Sequence, residues 1–206
     1  MLVLQNYRTV AAEAVTEIII KKSRFIAHVK PVQDEEQAIE FIRTVSKLHR
    51  DATHNVYAYR IMENQEKCSD DGEPSGTAGR PVLNVMKGEE IYQAAVVVTR
   101  YFGGIMLGAG GLVRAYSQAA VQGVSEAGVV TRVLCQHLRV VFDMPLFGIL
   151  KKTIEQSGAK ILDVAVTDKA SIVARLPVPE ADPLVEKIVD VSAGRALVEK
   201  LQQEFI

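Results

Sequence analysis

Residues 94–128 read AAVVVTRYFGGIMLGAGGLVRAYSQAAVQGVSEAG and join three different patterns. The run from Ala94 to Thr99 is almost continuously apolar, which is typical of a central strand buried on both faces. A glycine-rich segment follows it at residues 103–111. Apolar residues then recur at helical spacing as far as Gly128, a residue that suits a helix C-terminal cap. This stretch predicts a buried strand that leads through a glycine loop into a helix.

Strand and helix patterns also alternate before this stretch. Period-two alternation predicts strands in Thr16–Val29 and in Thr53–Met62. Asp34 is predicted to be the N-cap of a helix, with Gln37 as its capping-box partner. We expect the helix that follows the glycine loop to bury a face comprising Val113, Tyr116, Ala120, Val124 and Ala127.

The second half of the chain has a regular βαββαβ rhythm, which is the ferredoxin-like arrangement. Its strand signals lie at Leu138–Phe142, Leu162–Val166, Ile172–Leu176 and Arg195–Ile206, and its helix signals begin at Pro145 and Asp182. We therefore expect an α+β protein of two domains, residues 1–133 and 134–206. Their junction is predicted near Thr131–His137.

Charge and composition exclude several classes of protein. The net charge is −1, and basic and acidic residues balance in each half, at 15 and 15 before residue 134 and at 9 and 10 after it. Binding by neutralisation of phosphates alone is therefore not expected. Cys68 and Cys135 make no disulfide framework. The first residues lack a signal-peptide pattern, and no apolar run approaches the ~18 residues of a membrane span, so we expect a cytoplasmic protein.

The glycine-rich segment is a candidate anion site. A helix N-terminus offers free N–H groups and a positive dipole end, and glycine lets an anion approach the backbone. Arg100 before the segment and Arg114 in the helix could supply forked donors. The spacing matches neither a Walker loop nor GxGxxG. The alternative is that the glycines only permit a tight connection with close packing.

A second candidate lies in residues 63–81, which are predicted to form a long polar loop. Asp70, Asp71 and Glu73 could hold a hard cation, since oxygen ligands suit magnesium or calcium. Alternatively, these side chains bond their own backbone in a rigid turn. His54 has no second His or Cys at zinc-ligand spacing, and we expect a hydrogen-bonded histidine at a sheet end. We predict no catalytic residue, no metal site and no cofactor from these patterns.

These same residues carry a resemblance to a known family. The runs SDDGEPSGTAGRP at 69–81, VTRYFGG at 98–104 and LGAGGLVRAY at 107–116 closely resemble the IMPACT family and its bacterial YigZ branch. KSRF at 22–25 and His54-Asn55 match its earlier signatures, and the resemblance covers about residues 15–128. Three positions depart from the family's frequent residues, namely Val56, Cys68 and Ala109.

The resemblance implies a first domain of the ribosomal-protein and GHMP-kinase-like type and a second domain like the last domain of elongation factor G. It also implies a link to translational control. We therefore predict a non-enzymatic binding protein that contacts the ribosome, RNA or a translation-associated protein, with a small anion as a further ligand. The alternatives are an enzyme that handles a phosphorylated small molecule at Gly103–Gly111 and a purely structural protein–protein module.

The predicted site residues fall into three groups. The anion- or partner-binding group comprises Arg80, Arg100, Gly103, Gly104, Gly108, Gly110, Gly111 and Arg114. The acidic loop contributes Asp70, Asp71 and Glu73, and the earlier signatures contribute Ser23, Arg24 and His54.

Overall fold

The computed structural model describes residues 5–61 and 65–206, which form a mixed α+β structure of two compact units. One unit is Tyr7–Thr131, and the other is Arg132–Ile206 together with Gln5 and Asn6. The α+β class is as predicted. The elements are β1 (Asn6–Val10), β2 (Ala14–Ile20), β3 (Ser23–Pro31), α1 (Glu35–Leu48), β4 (His54–Arg60), β5 (Glu66–Ser69), α2 (Gly79–Gly88), β6 (Ala94–Tyr101), α3 (Ala109–Ala127), β7 (Val129–Phe142), α4 (Phe147–Gln156), β8 (Lys160–Val166), β9 (Ala170–Pro177), α5 (Val178–Ser192) and β10 (Leu197–Phe205).

The first unit is organised around β6. An antiparallel sheet runs in the order β2-β3-β6-β4-β5. Helices α2 and α3 cover one face, where Phe25, Met86 and Tyr116 form the core, and α1 covers the other, over Tyr59. Because both faces are covered, β6 is buried from Ala94 to Arg100, which explains its almost continuous apolar run.

The predicted caps Asp34 and Gly128 are confirmed, whereas α5 begins at Val178, four residues before the predicted start at Asp182. Asp34 caps α1 by accepting a hydrogen bond from the Gln37 backbone N–H at 2.8 Å. The Gln37 side chain accepts from the backbone of Gln33, one residue before the position that a capping box predicts. The predicted face of α3 is wrong at Val113, which is 38% exposed. The side chains that pack onto the sheet in its place are Leu112, Ala115 and Ala119.

The prediction of one long loop over residues 63–81 is wrong in two places within the described residues. Strand β5 occupies Glu66–Ser69 and pairs only with β4, so it is a short polar edge strand without an apolar alternation to reveal it. Helix α2 begins at Gly79. Pro81 lies in its first turn, where the missing N–H has no consequence, although Gly-Arg-Pro reads as loop from sequence. Strand β1 was also not predicted.

The second unit has the element order β7-α4-β8-β9-α5-β10, as predicted. Its strands pair antiparallel in the order β10-β7-β9-β8, which is the ferredoxin-like arrangement. Leu138, Leu150, Ile172 and Ile188 lie at the centre of its core. β7 is one continuous strand of 14 residues, whereas the sequence pattern predicts two separate strands, at Val129–Leu134 and at Leu138–Phe142.

Within residues 5–61 and 65–206, no helix combines the length and the apolar character that crossing a membrane requires.

Candidate functional site

The two glycine-rich segments of the first unit meet at a cleft of about 360 Å³. Glu73 and Pro74 come from the loop after β5, while the loop after β6 and the start of α3 form the rest of the wall. We call this the glycine-loop cleft; it is lined by Glu73, Pro74, Arg100, Phe102, Met106, Leu107, Gly108, Ala109 and Leu112. The prediction that the two loops lie side by side is therefore confirmed.

A buried ion pair closes the base of the glycine-loop cleft. Arg100 Nη1 donates to Glu73 Oε1 at 2.6 Å, and the Tyr116 hydroxyl donates to the same oxygen at 2.8 Å. Arg100 is 5% exposed and Glu73 is 8% exposed. Burial, reinforced by the hydrogen bond to Glu73, raises the pKa of Tyr116 far above its ordinary value. Arg100 and Glu73 therefore form a buried ion pair at the base of the cleft, and neither charged group is exposed to solvent.

Ser23 and Gly103 join the loop after β6 to the turn between β2 and β3. The Ser23 hydroxyl accepts from the Gly103 N–H at 3.1 Å and from Arg100 Nη2 at 3.4 Å. A Cβ on Gly103 would lie 2.0 Å from the carbonyl carbon of Lys22, so only glycine fits there. Arg24 is exposed and forms a forked pair with Glu17 at 2.8 and 3.0 Å. At Gly103, close packing is the reason for glycine.

The acidic loop is held together by its own carboxylates. Asp70 accepts hydrogen bonds from the backbone N–H groups of Gly76, Ala78 and Gly79 at 2.8 to 3.0 Å. Burial works against ionisation of Asp70, but these bonds outweigh it and hold the pKa of Asp70 below its ordinary value. Backbone bonding, the alternative to a cation site, is thus what the structure shows for Asp70.

Asp71 and His54 continue the same pattern. The Asp71 carboxylate accepts from the Asn55 N–H at 2.5 Å, and His54 Nδ1 donates to the Asp71 carbonyl at 2.7 Å. His54 is therefore hydrogen-bonded at the end of β4, as the sequence predicts. In the described part of the chain, no group of three or more His, Cys, Asp or Glu side chains is placed to hold a metal ion.

The start of α3 is open by contrast. Gly104 and Gly108 adopt left-handed backbone angles, with φ of +80° and +72°, and nothing lies within 4 Å of the position of their missing Cβ atoms. The first intrahelical hydrogen bond runs from the Leu112 N–H to the Gly108 carbonyl. The N–H groups of residues 109–111 have no acceptor among the described residues. The positive end of the α3 dipole is therefore uncapped.

Two cations lie beside this helix start. Arg114 is exposed and lines a second cavity of about 270 Å³ together with Lys21 from the turn between β2 and β3. Leu107 lines both this cavity and the glycine-loop cleft. Arg80, at the start of α2, is exposed but lines neither. Of the predicted arginines, the structure thus places only Arg114 beside the open helix end.

Sequence reasoning missed the apolar part of this surface. Phe102 and Ile105 are exposed, and Met106 is 84% exposed. Large apolar side chains inside a glycine-rich segment were the available signal, because such side chains normally leave water unless a partner covers them. Lys21 was also missed, since a lysine in a hairpin turn is typical of a solvated edge.

A separate polar cluster lies on the α1 side of the sheet. The Nε2 atoms of His28 and His49 are 2.9 Å apart, and His49 Nδ1 lies 3.0 Å from the Tyr101 hydroxyl. Burial, with a further contribution from His49, lowers the pKa of His28. Burial and the positive charge of Arg24 lower the pKa of His49. Both shifts favour the neutral imidazole, and the cluster joins the end of α1 to β3 and β6.

Comparison with known proteins places these loops in a family. Residues 21–124 match the Impact N-terminal domain, and residues 140–195 match a domain of unknown function, DUF1949. The chain is 38% identical to the IMPACT family member YvyE of Bacillus subtilis, over 98% of this chain and 94% of that protein. It is 31% identical to the IMPACT family member YigZ of Escherichia coli, over 85% of this chain and 88% of that protein.

The relation extends to an animal protein and to a solved structure. Protein IMPACT of Mus musculus is 39% identical over 95 residues, which are 43% of this chain and 29% of that protein. A crystal structure described as a hypothetical protein aligns with a TM-score of 0.63 at 28% identity, covering 98% of this chain and all of that one. Both segments of the glycine-loop cleft fall within the matched first domain, and the chain belongs to the IMPACT family.

Proposed function

We propose that this protein is a non-enzymatic, cytoplasmic binding protein in translational regulation, and that it contacts its partner through the glycine-loop cleft and the start of α3. The partner is the ribosome, RNA or a translation-associated protein. The link to translation follows from family membership, because control of translation is what the IMPACT resemblance implies. The site follows from one observation: the groups with unused binding capacity are concentrated there.

The base and the rim of the cleft differ in how many of their groups are free to bind a partner. Glu73 and Asp70 accept hydrogen bonds within the protein, and Arg100 is paired with Glu73, although its buried Nε has no partner among the described residues. At the rim, Met106 is exposed and the N–H groups at the start of α3 have no acceptor among the described residues. Apolar surface with free donors suits recognition, whereas general acid–base catalysis needs a titratable group that is free to exchange a proton.

Sedimentation with purified ribosomes tests the proposal. We expect the full-length protein to co-sediment, and Met106→Asp to reduce co-sedimentation strongly because it places a charge on the apolar rim. Leu48→Asp is the matched control, since Leu48 is 69% exposed at the end of α1 on the other side of the sheet. Nuclease treatment of the ribosomes separates contact with RNA from contact with protein. Equal sedimentation of both variants would contradict the assignment of the site.

The enzyme alternative is supported by the pairing of Arg114 and Lys21 beside the helix start, where a phosphate could be held. Incubation with magnesium and a panel of nucleotides and phosphorylated metabolites tests it. Turnover that disappears in both Asp71→Ala and Arg114→Ala would replace the binding-protein proposal with this one. We expect no turnover.

A further inference from the structure

We propose that the partner segment is a peptide that places a large apolar side chain in the glycine-loop cleft and a neighbouring carboxylate against Lys21, Arg114 and the start of α3. This inference rests on the proposed function and specifies the chemistry of the partner. Three features of the site support it: an apolar wall, a neutral base and a cationic side.

The wall of the cleft is apolar. Phe102, Met106, Leu107 and Leu112 line it opposite Pro74. A volume of about 360 Å³ lies at the small end of ligand pockets, which span roughly 300–1,000 Å³. One large aliphatic or aromatic side chain is therefore the appropriate guest. Its burial would also cover Met106, which is 84% exposed without a partner.

The base of the cleft presents no unpaired charge. Glu73 and Arg100 neutralise each other at 2.6 Å, and Tyr116 adds a hydrogen bond to the same carboxylate. A charged group that entered the cleft would lose its hydration without gaining an unpaired counter-charge. The cleft thus selects a neutral apolar guest, and any anionic part of the partner must lie outside it.

The cationic side adjoins the cleft through Leu107. Lys21 and Arg114 line the second cavity, and its lining residues, all within the described part of the chain, include no Asp or Glu. Neither cation has an ion-pair partner among the described residues. The uncapped start of α3 adds its dipole on the same side, because Gly111 lines this cavity too. Charge complementarity therefore calls for an anionic group, which in a peptide is a carboxylate.

A peptide fits these requirements better than a nucleic acid. RNA recognition uses a track of cations along the phosphates and polar or aromatic groups against the bases. Here two cations stand at one end of a wall that is mainly aliphatic, in a chain of net charge −1. The cleft and the cationic cavity share Leu107, so residues i and i+2 of one extended segment, whose side chains point to the same face, can reach both.

Fluorescence polarisation with short synthetic peptides tests the proposal on the full-length protein. The probe peptide carries Leu and Glu two residues apart, separated by Ser, so that both side chains lie on one face of the extended chain; its two controls replace Glu by Gln or Leu by Ser. We expect each control to bind about tenfold more weakly, which is the effect of losing one charge-assisted contact or one buried side chain. We also expect binding of the probe to weaken with added salt, and binding of the Gln control to be insensitive to salt.

Variants of the protein test the cationic side and the apolar wall of the site separately. Arg114→Gln should weaken the Glu-containing probe about tenfold and leave the Gln control unchanged. Met106→Asp should weaken both peptides. Arg43→Gln, on the exposed side of α1, is the matched control and should change neither.

Three results would overturn the inference. The first is equal affinity for the Glu and Gln peptides. The second is tighter binding of oligoadenylate or oligouridylate of matched length than of the peptide, abolished by Arg114→Gln, which would identify RNA as the ligand. The third is ribosome co-sedimentation that depends on Met106 with no peptide binding, which would leave the proposed function standing and remove only this inference.

Discussion

The acidic loop at residues 69–81 and the glycine-rich loop at residues 102–111 are similar in glycine content but differ in how many of their groups are bonded within the protein. Both are rich in glycine and both line the same cleft. The polar groups of the acidic loop are hydrogen-bonded within the protein, since Asp70 alone accepts three backbone hydrogen bonds. The glycine-rich loop leaves Met106 exposed and leads into a helix without a side-chain cap. The charged residues therefore form the scaffold of this site, and the exposed apolar residues form the surface that we propose binds the partner.

The largest expected effect tests the scaffold role of the acidic loop. Glu73→Gln leaves the buried Arg100 without its counter-charge, and removing one partner of a buried ion pair costs about 3–5 kcal/mol. Urea denaturation should show this loss of unfolding free energy. Glu17→Gln breaks the exposed pair with Arg24 and is the control, for which we expect little change. A small effect at Glu73 would mean that the pair does not organise the cleft.

The next effect separates close packing from backbone conformation within the glycine-rich loop. Gly103→Ala places a Cβ against the backbone of Lys22 and should lower the unfolding free energy by about 2–3 kcal/mol. Gly104→Ala meets no neighbour but must keep its left-handed φ of +80°, which costs about 1 kcal/mol. Denaturation of both variants checks the order. The reverse order would show that the turn between β2 and β3 can move away.

Much of this architecture was predictable from sequence, and the exceptions have physical causes. Local signals revealed Asp34 as a cap and the apolar run of β6, because each depends on neighbouring residues alone. The cleft base was not predictable, since Arg100 and Tyr116 lie 27 and 43 residues from Glu73. The local sequence around Gly79 is typical of a loop, although Gly79 begins α2 and a Cβ there would lie 2.6 Å from the Ser69 carbonyl oxygen, so glycine is needed for packing.

A pH-dependent effect tests the backbone-bonding role of Asp70. Its folded-state pKa is lowered, so its contribution to stability is complete above the unfolded-state pKa of about 3.9 and is lost as pH falls through the lower folded-state value. Asp70→Asn keeps the shape and should cost about 1 kcal/mol near neutral pH. Wild type and variant should converge in stability at a pH well below 4, as measured by urea denaturation across pH. A constant difference at all pH values would exclude this origin.

The smallest expected effect on stability is at Met106, and the same substitution tests the proposed role of the glycine-rich loop in binding. Met106→Ser removes a side chain that is 84% exposed, so the unfolding free energy should change by no more than about 0.5 kcal/mol. Its neighbour Leu107 packs against the core of the first unit, and Leu107→Ser should therefore destabilise the protein measurably more. In ribosome co-sedimentation, Met106→Ser should still reduce binding, because the apolar side chain that would contact the partner has been removed. Loss of binding without loss of stability is expected only where a surface is kept for recognition, so a destabilising Met106→Ser, or one that binds as well as wild type, would remove Met106 from the binding surface.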